Sequence, residues 1–384
     1  MSRRRKAVLK KSLGKRTGTQ QNRHFVSSKS AKRRTISKRR RKNRLILIIS
    51  TTAIVVAAAV FFIFRSGVFE SAPDHITFTV AWNPGSTADD IVREISRTTE
   101  AQVTIQNITG ANGANGANTA FQSGRNGDML LSTSLSALVT AEAMGFSENS
   151  HNDWTAWLCA FSPAVVVVAS DSPYHSMDDL IAAIRQNPGR IRCANSGFGT
   201  ISFTAAELLS TRVVLEFDYI SYSGSNQAVE ALESSESQET EADFAVLLSI
   251  EATEYIRTGQ VRAIGAFTEV EFYMQSGDSL ISIPAIRGVD SRLDASLPFG
   301  EYFGLFIPSD TPQSKLHGLD SFIRDAVGTE WFYDFTRNAG FEVLTPDRSK
   351  SAEITEHFSS IINWTLYDVG YLPTNPETLG ISRP

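Results

Sequence analysis

The sequence predicts an α/β protein in two lobes, preceded by a basic tail and one transmembrane helix. Short apolar, β-branched runs alternate with helical patterns over roughly the last 310 residues. An uncharged stretch of 20 residues lies at 45–64, and residues 1–44 contain 19 Lys and Arg but no Asp or Glu. With 42% hydrophobic and 20% charged residues, the composition excludes collagen, coiled coils and wholly disordered chains.

Residues 45–64, LILIISTTAIVVAAAVFFIF, are interpreted as an uncleaved membrane anchor. A helix of 20 residues is about 30 Å long, which matches the hydrocarbon thickness of a bilayer. The apolar region of a cleaved signal peptide is shorter, at about 7–15 residues. Cleavage after the span and a buried core helix remain the alternatives.

The basic tail at 1–44 sets the expected orientation. Basic clusters beside a span stay in the cytoplasm, so residues 66–384 would lie outside the cell membrane. Because its hydrophobicity is low and its charge high, the tail is predicted to be disordered. A segment that directs topology and touches anionic lipid explains the charge. Nucleic-acid binding is the alternative; since no fold signal supports it, we expect no nucleic-acid partner.

Seven strand-like runs follow in the exported part, separated by amphipathic segments. Such continuous apolar runs are typical of sheets covered by helices on both faces, and their number and length indicate two lobes. Ligands of these sheets usually bind at the carboxyl ends of the strands. The runs are ITFTVA at 76–81, VTIQNI at 103–108, MLLST at 129–133, AVVVVA at 164–169, DFAVLL at 243–248, VRAIGAF at 261–267 and YFGLFIP at 302–308.

Three polar turns each follow a strand-like run and precede a helix, at 83–90, 195–200 and 222–226. Each presents backbone N–H groups at the positive end of a helix dipole, which suits a carboxylate or a phosphate. In the first turn, Ser86 and Asp89 have the spacing of a capping box, as do Thr87 and Asp90. Outside the tail, 18 basic groups face all 41 acidic groups. This balance favours a small carboxylate over a polyanion.

Nine motifs, in order along residues 76–370, resemble the tripartite tricarboxylate transporter substrate-receptor family, also called Bug proteins. They are PGSTAD at 84–89 followed by Arg93, QNITGANGANG at 106–116, GDMLL at 127–131, DWTA at 153–156, NPGRI at 187–191, SGFGT at 196–200, YSGS at 222–225, GQVRA at 259–263, and FGLFIP at 303–308 with Thr311 and Pro312.

The resemblance implies a two-lobed, periplasmic-binding-protein-like (type II) clamshell that closes around an organic acid and delivers it to a multispan permease. We place the first lobe at 76–168 and 267–384, and the second at 169–266. In the family, backbone amides and hydroxyls hold the ligand carboxylate, often with water. The positions carried over are Gly85, Ser86, Thr87, Ala88, Asp89, Thr133 and Ser134 in the first lobe, and Ser196, Gly197, Thr200, Tyr222, Gly224 and Ser225 in the second.

Some positions depart from the family pattern. Ser86 and Thr87 stand where the family mostly has Gly, and Asn112 replaces another Gly. Residues 233–241 are an acidic insertion that we expect to be a solvated loop. Asp89 cannot contact a carboxylate favourably without a water or a proton between them. It is therefore expected to brace the turn, or to accept from a ligand hydroxyl or amine.

Other reactive side chains have simpler explanations. Cys159 and Cys193 lie near predicted strands, as buried free thiols or as an extracellular disulfide. Trp154 and Trp157 are predicted core residues. We expect no metal and no cofactor, since the six His residues lack metal-ligand spacing. They are His24, His75, His151, His175, His317 and His357.

Three functions remain after this survey. A non-catalytic solute receptor is the leading interpretation. A tethered ligand sensor is an alternative, because it would need the same anchor and lobes. A hydrolase or transferase on the α/β core is the third. It lacks support because the chain has no nucleophile elbow, HExxH motif, Walker loop or Rossmann fingerprint.

Overall fold

The computed structural model describes residues 49–58, 73–233 and 241–384. Residues 49–58 are helical (α1). The basic tail, both ends of the expected anchor and most of the linker at 66–75 lie outside the described residues. Within the described ranges, no helix has both the length and the hydropathy needed to cross a bilayer. The anchor therefore stays a prediction. Residues Gly67–Pro384 form one compact unit.

The first part of the sheet contains six strands, of which three pair in parallel and three are added by antiparallel pairings. The central strand β1 (His75–Val80) pairs in parallel with β2 (Gln102–Asn107) and with β3 (Met129–Ser134). On the other side of β3, β11 (Gly300–Pro308) runs antiparallel and also pairs with β4 (Trp154–Ala169). The short strand β12 (Glu342–Val343) pairs with β4 as well.

Strand β4 continues into the second part of the sheet. Its last residues pair antiparallel with β7 (Phe244–Leu248) and β8 (Val261–Ala266). Two parallel pairings add β5 (Arg192–Asn195) beside β7 and β6 (Asp218–Ser221) beside β5. A separate hairpin consists of β9 (Phe272–Ser276) and β10 (Ser279–Ile283). The two parts of the sheet thus share β4, which supports a two-lobed arrangement.

Close packing marks the point where β4 passes from one part of the sheet to the other. Gly300 of β11 lies opposite Pro163 of β4, and a Cβ on Gly300 would come within 2.2 Å of the Ser162 carbonyl oxygen. Only glycine fits this approach. The same register places Glu301 opposite Ser162, so a carboxyl group is buried at the crossover.

Eleven helices follow α1 within the described ranges. Polar caps fix several of their first residues: Ser86, Thr200 and Asp347 each accept a bond from a backbone N–H in the helix that follows. The helices are α2 (Thr87–Arg97), α3 (Ala114–Ser123), α4 (Leu135–Thr140), α5 (Met177–Gln186), α6 (Ile201–Val213), α7 (Ser225–Glu230), α8 (Ser249–Arg257), α9 (Ser291–Asp294), α10 (Gln313–Val327), α11 (Glu330–Ala339) and α12 (Arg348–Asp368).

The expected α/β pattern and core residues are confirmed. All seven strand-like runs are strands, and their ends shift by a residue or two, except that β4 begins ten residues before the run that predicted it. Trp154 and Trp157 are buried, as expected. Cys159 and Cys193 are both buried free thiols, so the disulfide alternative is wrong. They lie on different strands, β4 and β5.

Candidate functional site

The first turn is organised around the carboxylate of Asp89. Asp89 is fully buried, and its Oδ2 accepts from the backbone N–H of Gly85 at 2.8 Å and from Arg93 Nε at 2.7 Å. Oδ1 accepts from Arg93 Nη2 at 3.2 Å and from Asn107 Nδ2 at 3.0 Å. Burial opposes ionisation, but these hydrogen bonds outweigh it, so the pKa of Asp89 is lowered. Asp89 is therefore an ionised brace of the turn.

The capping arrangement differs in one detail from the expected box. Ser86 is the N-cap of α2, and its hydroxyl accepts from Asp89 N at 3.4 Å, as expected for an N-cap. The carboxylate of Asp89 returns to Gly85 instead of to Ser86. The Gly85 N–H is therefore already bonded. In the described part of the chain, the N–H groups of Thr87 and Ala88 have no acceptor.

Thr133 and the glycine turn after β2 lie beside this first turn. Trp82 Nε1 donates to Thr133 Oγ1 at 3.1 Å. A Cβ on Gly113 would lie 3.5 Å from the Trp82 ring and 3.7 Å from Thr133 Oγ1. Gly113 has a φ of 90°, which favours glycine at this position. Trp82 thus joins the turn after β1 to the end of β3.

The N-terminus of α4 is occupied by a buried carboxyl group. Ser134 is its N-cap, without a side-chain capping bond. Glu301 Oε1 accepts from Ser136 N at 3.1 Å, and its Oε2 accepts from the Ser136 hydroxyl. Burial raises the pKa of Glu301 to about 7, although donors from Ser136, Tyr302 and Leu135 oppose the shift. The helix end beside Ser134 is therefore already filled by a protein group.

Hydroxyl groups in the second turn bond mostly to one another. Thr200 Oγ1 donates to the Gly197 carbonyl at 2.6 Å. Ser202 Oγ lies 2.6 Å from Ser196 Oγ and 2.9 Å from Thr200 Oγ1, and it accepts from Ser196 N at 3.0 Å. Each hydroxyl proton has an acceptor inside the turn. Within the described residues, the N–H groups of Phe198 and Gly199 and those of Ile201 and Ser202, which begin α6, have no acceptor.

Two residues at this turn were not expected from the sequence. Asn195 ends β5 fully buried; its Oδ1 accepts from Gly197 N at 3.1 Å, while its Nδ2 has no partner in the described residues. Glu251, from the first turn of α8, lies near Ser196, and its Oε2 accepts from Leu248 N at 2.8 Å. Burial raises the pKa of Glu251, partly offset by Leu248 and Ser196. An Asn placed directly before S-G-x-G-T was the available sequence signal for Asn195.

The third turn packs against the second. Tyr222 N donates to the Asn195 carbonyl at 3.1 Å, and a Cβ on Gly197 would lie 3.2 Å from the Tyr222 carbonyl. The Tyr222 hydroxyl donates to Glu241 at 3.0 Å, and burial together with this bond raises the pKa of Tyr222 to about 12. Gly224 and Ser225 begin the short helix α7.

The predicted site residues thus form two groups. Gly85, Ser86, Thr87, Ala88, Asp89, Thr133 and Ser134 lie at the ends of β1 and β3, while Ser196, Gly197, Thr200, Tyr222, Gly224 and Ser225 lie at the ends of β5 and β6. Among the described residues, no hydrogen bond or ring contact joins one group to the other. Their sharing of one groove stays a prediction. The residues that the structure describes contain no cluster of three or more His, Cys, Asp or Glu placed to hold a metal.

Comparison with known proteins gives a match over most of the chain. A family model described as "Tripartite tricarboxylate transporter family receptor" matches residues 70–360. A UPF0065 protein from the tcbD-tcbE intergenic region of Pseudomonas sp. (strain P51) is 29% identical over 272 residues, covering 68% of this chain and 76% of that protein.

Solved structures show the same fold. A ligand-free TctC solute-binding protein from Polaromonas has a TM-score of 0.65 at 18% identity, covering 76% of this chain and 98% of its own. Rpa4515 of R. palustris, solved with adipate, has a TM-score of 0.55 at 17% identity, covering 77% of this chain and 97% of its own.

Proposed function

Because this chain belongs to the tripartite tricarboxylate transporter receptor family, we propose that it binds a small dicarboxylate or tricarboxylate between its two lobes and delivers it to a multispan permease. The family is one of solute receptors and not of enzymes, and we propose that this member has no catalytic activity. Hinge closure about the shared strand β4 would then be its mechanism. The lobe boundaries proposed are 76–168 with 267–384, and 169–266.

The supporting observation is the pair of helix ends with unused main-chain donors. The N–H groups of Thr87 and Ala88 open α2, and those of Ile201 and Ser202 open α6. Both helices exceed ten residues, and both follow glycine turns after a strand. Two such ends can each take one carboxylate of a ligand.

Hydrogen bonds inside the two turns limit which protein groups can contact the ligand. Asp89 and the Gly85 N–H are bonded to each other, so they shape the turn without donating to the ligand. The Thr200 hydroxyl donates to the Gly197 carbonyl, and the Ser196 hydroxyl is hydrogen-bonded to the Ser202 hydroxyl. The proposed contacts are therefore the N–H groups of Thr87, Ala88, Ile201 and Ser202, with Thr133 and Ser134 beside the first pair.

We also propose that residues 45–64 anchor the receptor in the cell membrane, with residues 1–44 in the cytoplasm and the binding unit outside. The uncharged 20-residue stretch and the basic tail before it support this arrangement. Alkaline extraction of membranes, followed by protease treatment of intact cells, tests it. Release of the full chain by alkali would contradict the anchor.

A thermal-melt screen tests the binding function. The compact unit Gly67–Pro384 would be melted with malonate, succinate, malate, adipate and citrate, and with monocarboxylates as controls. A ligand at 100 times its Kd should add about 2.7 kcal/mol to the stability. A flat response to every di- and tricarboxylate would contradict the proposal, as would turnover of ester or amide substrates.

A further inference from the structure

The aromatic ring of Phe198 lies in the second turn, and much of it is uncovered. Phe198 is 52% exposed. Its ring centroid is 4.8 Å from that of Phe203, a buried residue of α6, and 5.3 Å from that of Tyr371. Both contacts are edge-to-face, the arrangement that aromatic pairs prefer. The second turn therefore presents an apolar ring that two neighbours hold in place.

Tyr371, which follows α12, contacts the second turn at two neighbouring residues. Its backbone N–H donates to the Leu366 carbonyl at 2.9 Å, so Tyr371 is tied to the end of α12. Besides the ring contact with Phe198, a Cβ on Gly199 would lie 2.2 Å from the Tyr371 ring. The ring of Tyr371 thus packs directly on the turn, and its position depends on α12 and not on α6.

Unused main-chain donors lie next to the Phe198 ring. The N–H groups of Phe198 and Gly199 have no acceptor in the described residues. Phe198 is exposed and Gly199 is partly exposed, whereas Ile201 and Ser202 are only 5% and 1% exposed. A ligand can therefore reach the first two residues more easily. Because the ring and one of these N–H groups belong to the same residue, a carboxylate bound here brings its carbon skeleton beside the ring.

The charges at the two turns disfavour a third carboxylate on the ligand. Residues 195–203 contain no Arg or Lys, and the carboxyl group of Glu251 lies near Ser196. At the first turn, Arg93 is already paired with Asp89, with 2.7 Å between Nε and Oδ2. A further carboxylate beside the second turn would meet Glu251 without a cation from either turn to offset the repulsion. The part of the ligand beside Phe198 is therefore expected to be uncharged.

We propose that this receptor selects dicarboxylates that carry an apolar substituent, such as a phenyl ring, over unsubstituted dicarboxylates and tricarboxylates. Phe198 contacts the substituent and determines this specificity. Tyr371 is a positioning residue, which holds the Phe198 ring beside the unused N–H groups. The inference rests on the proposed function, because it concerns the ligand of the same organic-acid site.

Titration calorimetry on the full chain in detergent, with two matched pairs of ligands, tests the selection. The pairs are succinate with phenylsuccinate and glutarate with 3-phenylglutarate, and citrate is the tricarboxylate. In at least one pair we expect the phenyl compound to bind about tenfold more tightly than its parent and than citrate. If the parents or citrate bind as tightly as the phenyl compounds, the inference is overturned and the proposed function stands. Binding of no di- or tricarboxylate would overturn both.

Variants then test the two aromatic residues through the ratio of the Kd values in the selective pair. Phe198→Ala should reduce this ratio about tenfold, which corresponds to about 1.4 kcal/mol. Tyr371→Ala should also reduce it, whereas Tyr371→Phe keeps the ring and should retain the wild-type ratio. Phe146→Ala removes another exposed phenylalanine ring, in the loop after α4, and is the matched control. An unchanged ratio in Phe198→Ala would place the selective contact elsewhere and overturn the proposal.

Discussion

The backbone N–H of Gly85 donates to Asp89 Oδ2 across 2.8 Å, so the turn after β1 is closed by a side chain from the helix that follows it. Gly85 has a φ of 79°, and a Cβ there would meet no atom within 4 Å. Backbone conformation, not crowding, is therefore the reason for glycine at this position. Arg93 and Asn107 complete the set of donors around the same carboxylate.

Asp89→Asn should destabilise the protein because it removes the charge that Arg93, Gly85 and Asn107 bind. We expect a loss of about 1–3 kcal/mol in the free energy of unfolding at pH 7. The pKa of Asp89 is lowered in the folded state. Its contribution is therefore present above about pH 4 and is lost as the pH falls below that value. Urea unfolding at several pH values measures both effects.

Asp90→Asn is the matched control for this prediction. Asp90 is the next residue of α2, and burial raises its pKa, the opposite direction from Asp89. The control should therefore show no comparable loss at pH 7. Equal losses in the two variants would mean that general helix charge, and not the bracing of the turn, explains the effect.

Thr87→Pro should weaken organic-acid binding while leaving the fold intact. Thr87 is the first residue of α2, where proline is tolerated, and its N–H has no acceptor in the described residues. Loss of one ligand hydrogen bond costs about 1–3 kcal/mol, or roughly 5- to 150-fold in Kd. Calorimetry with the best ligand of the melt screen measures it.

A proline at the start of another helix controls for the substitution itself. Glu330 is the exposed first residue of α11, so Glu330→Pro makes the same change away from the turns. Its Kd should match that of the wild type. If Thr87→Pro also binds normally, the α2 end does not hold the ligand. Ser196→Pro is less informative, since the Ser196 N–H already bonds Ser202.

Cys159 and Cys193 should be unreactive in the folded protein. Both are fully buried, and burial raises the pKa of Cys159 to about 12 and that of Cys193 further still. Thiol reagents act on the thiolate, which is scarce under these conditions. A colorimetric thiol titration should find no fast-reacting group in the native protein and two after urea unfolding. Two free thiols already titrating without urea would contradict the burial.

Seven of the twelve described strands, and the polar turns, could be predicted from the sequence because they depend on local patterns, whereas β5, β6, β9, β10 and β12 were not among the predicted runs. Runs such as AVVVVA at 164–169 are buried on both faces, and glycine turns precede capped helices. The first ten residues of β4 were not predicted as strand, since Ser162 and Pro163 interrupt the apolar pattern there. Pairing with β11 across Gly300 stabilises that segment, and such a partner is far away in the sequence.

Long-range contacts also explain what was missed in the candidate site. Glu301 reaches the start of α4 from 165 residues away, and Glu251 reaches Ser196 from another helix. No spacing in the sequence indicates either contact. The hydroxyls of Thr200 and Ser196, predicted as ligand donors, are instead engaged by local partners, the Gly197 carbonyl and the Ser202 hydroxyl.

Glu301→Gln should remove a pH dependence of stability. The folded pKa of Glu301 is about 7, above its ordinary value of 4.5, because burial disfavours the charged form. Between these values the folded state retains a proton that the unfolded chain has released, so stability falls as the pH rises. This shift corresponds to roughly 3 kcal/mol. Relative to the wild type, the free energy of unfolding of Glu301→Gln should therefore rise by about that much between pH 4.5 and pH 7, as measured by urea unfolding.

Glu353→Gln, on the surface of α12, is the control and should follow the wild-type curve. Parallel curves for the wild type and Glu301→Gln would show that Glu301 ionises as readily in the folded protein as in the unfolded chain.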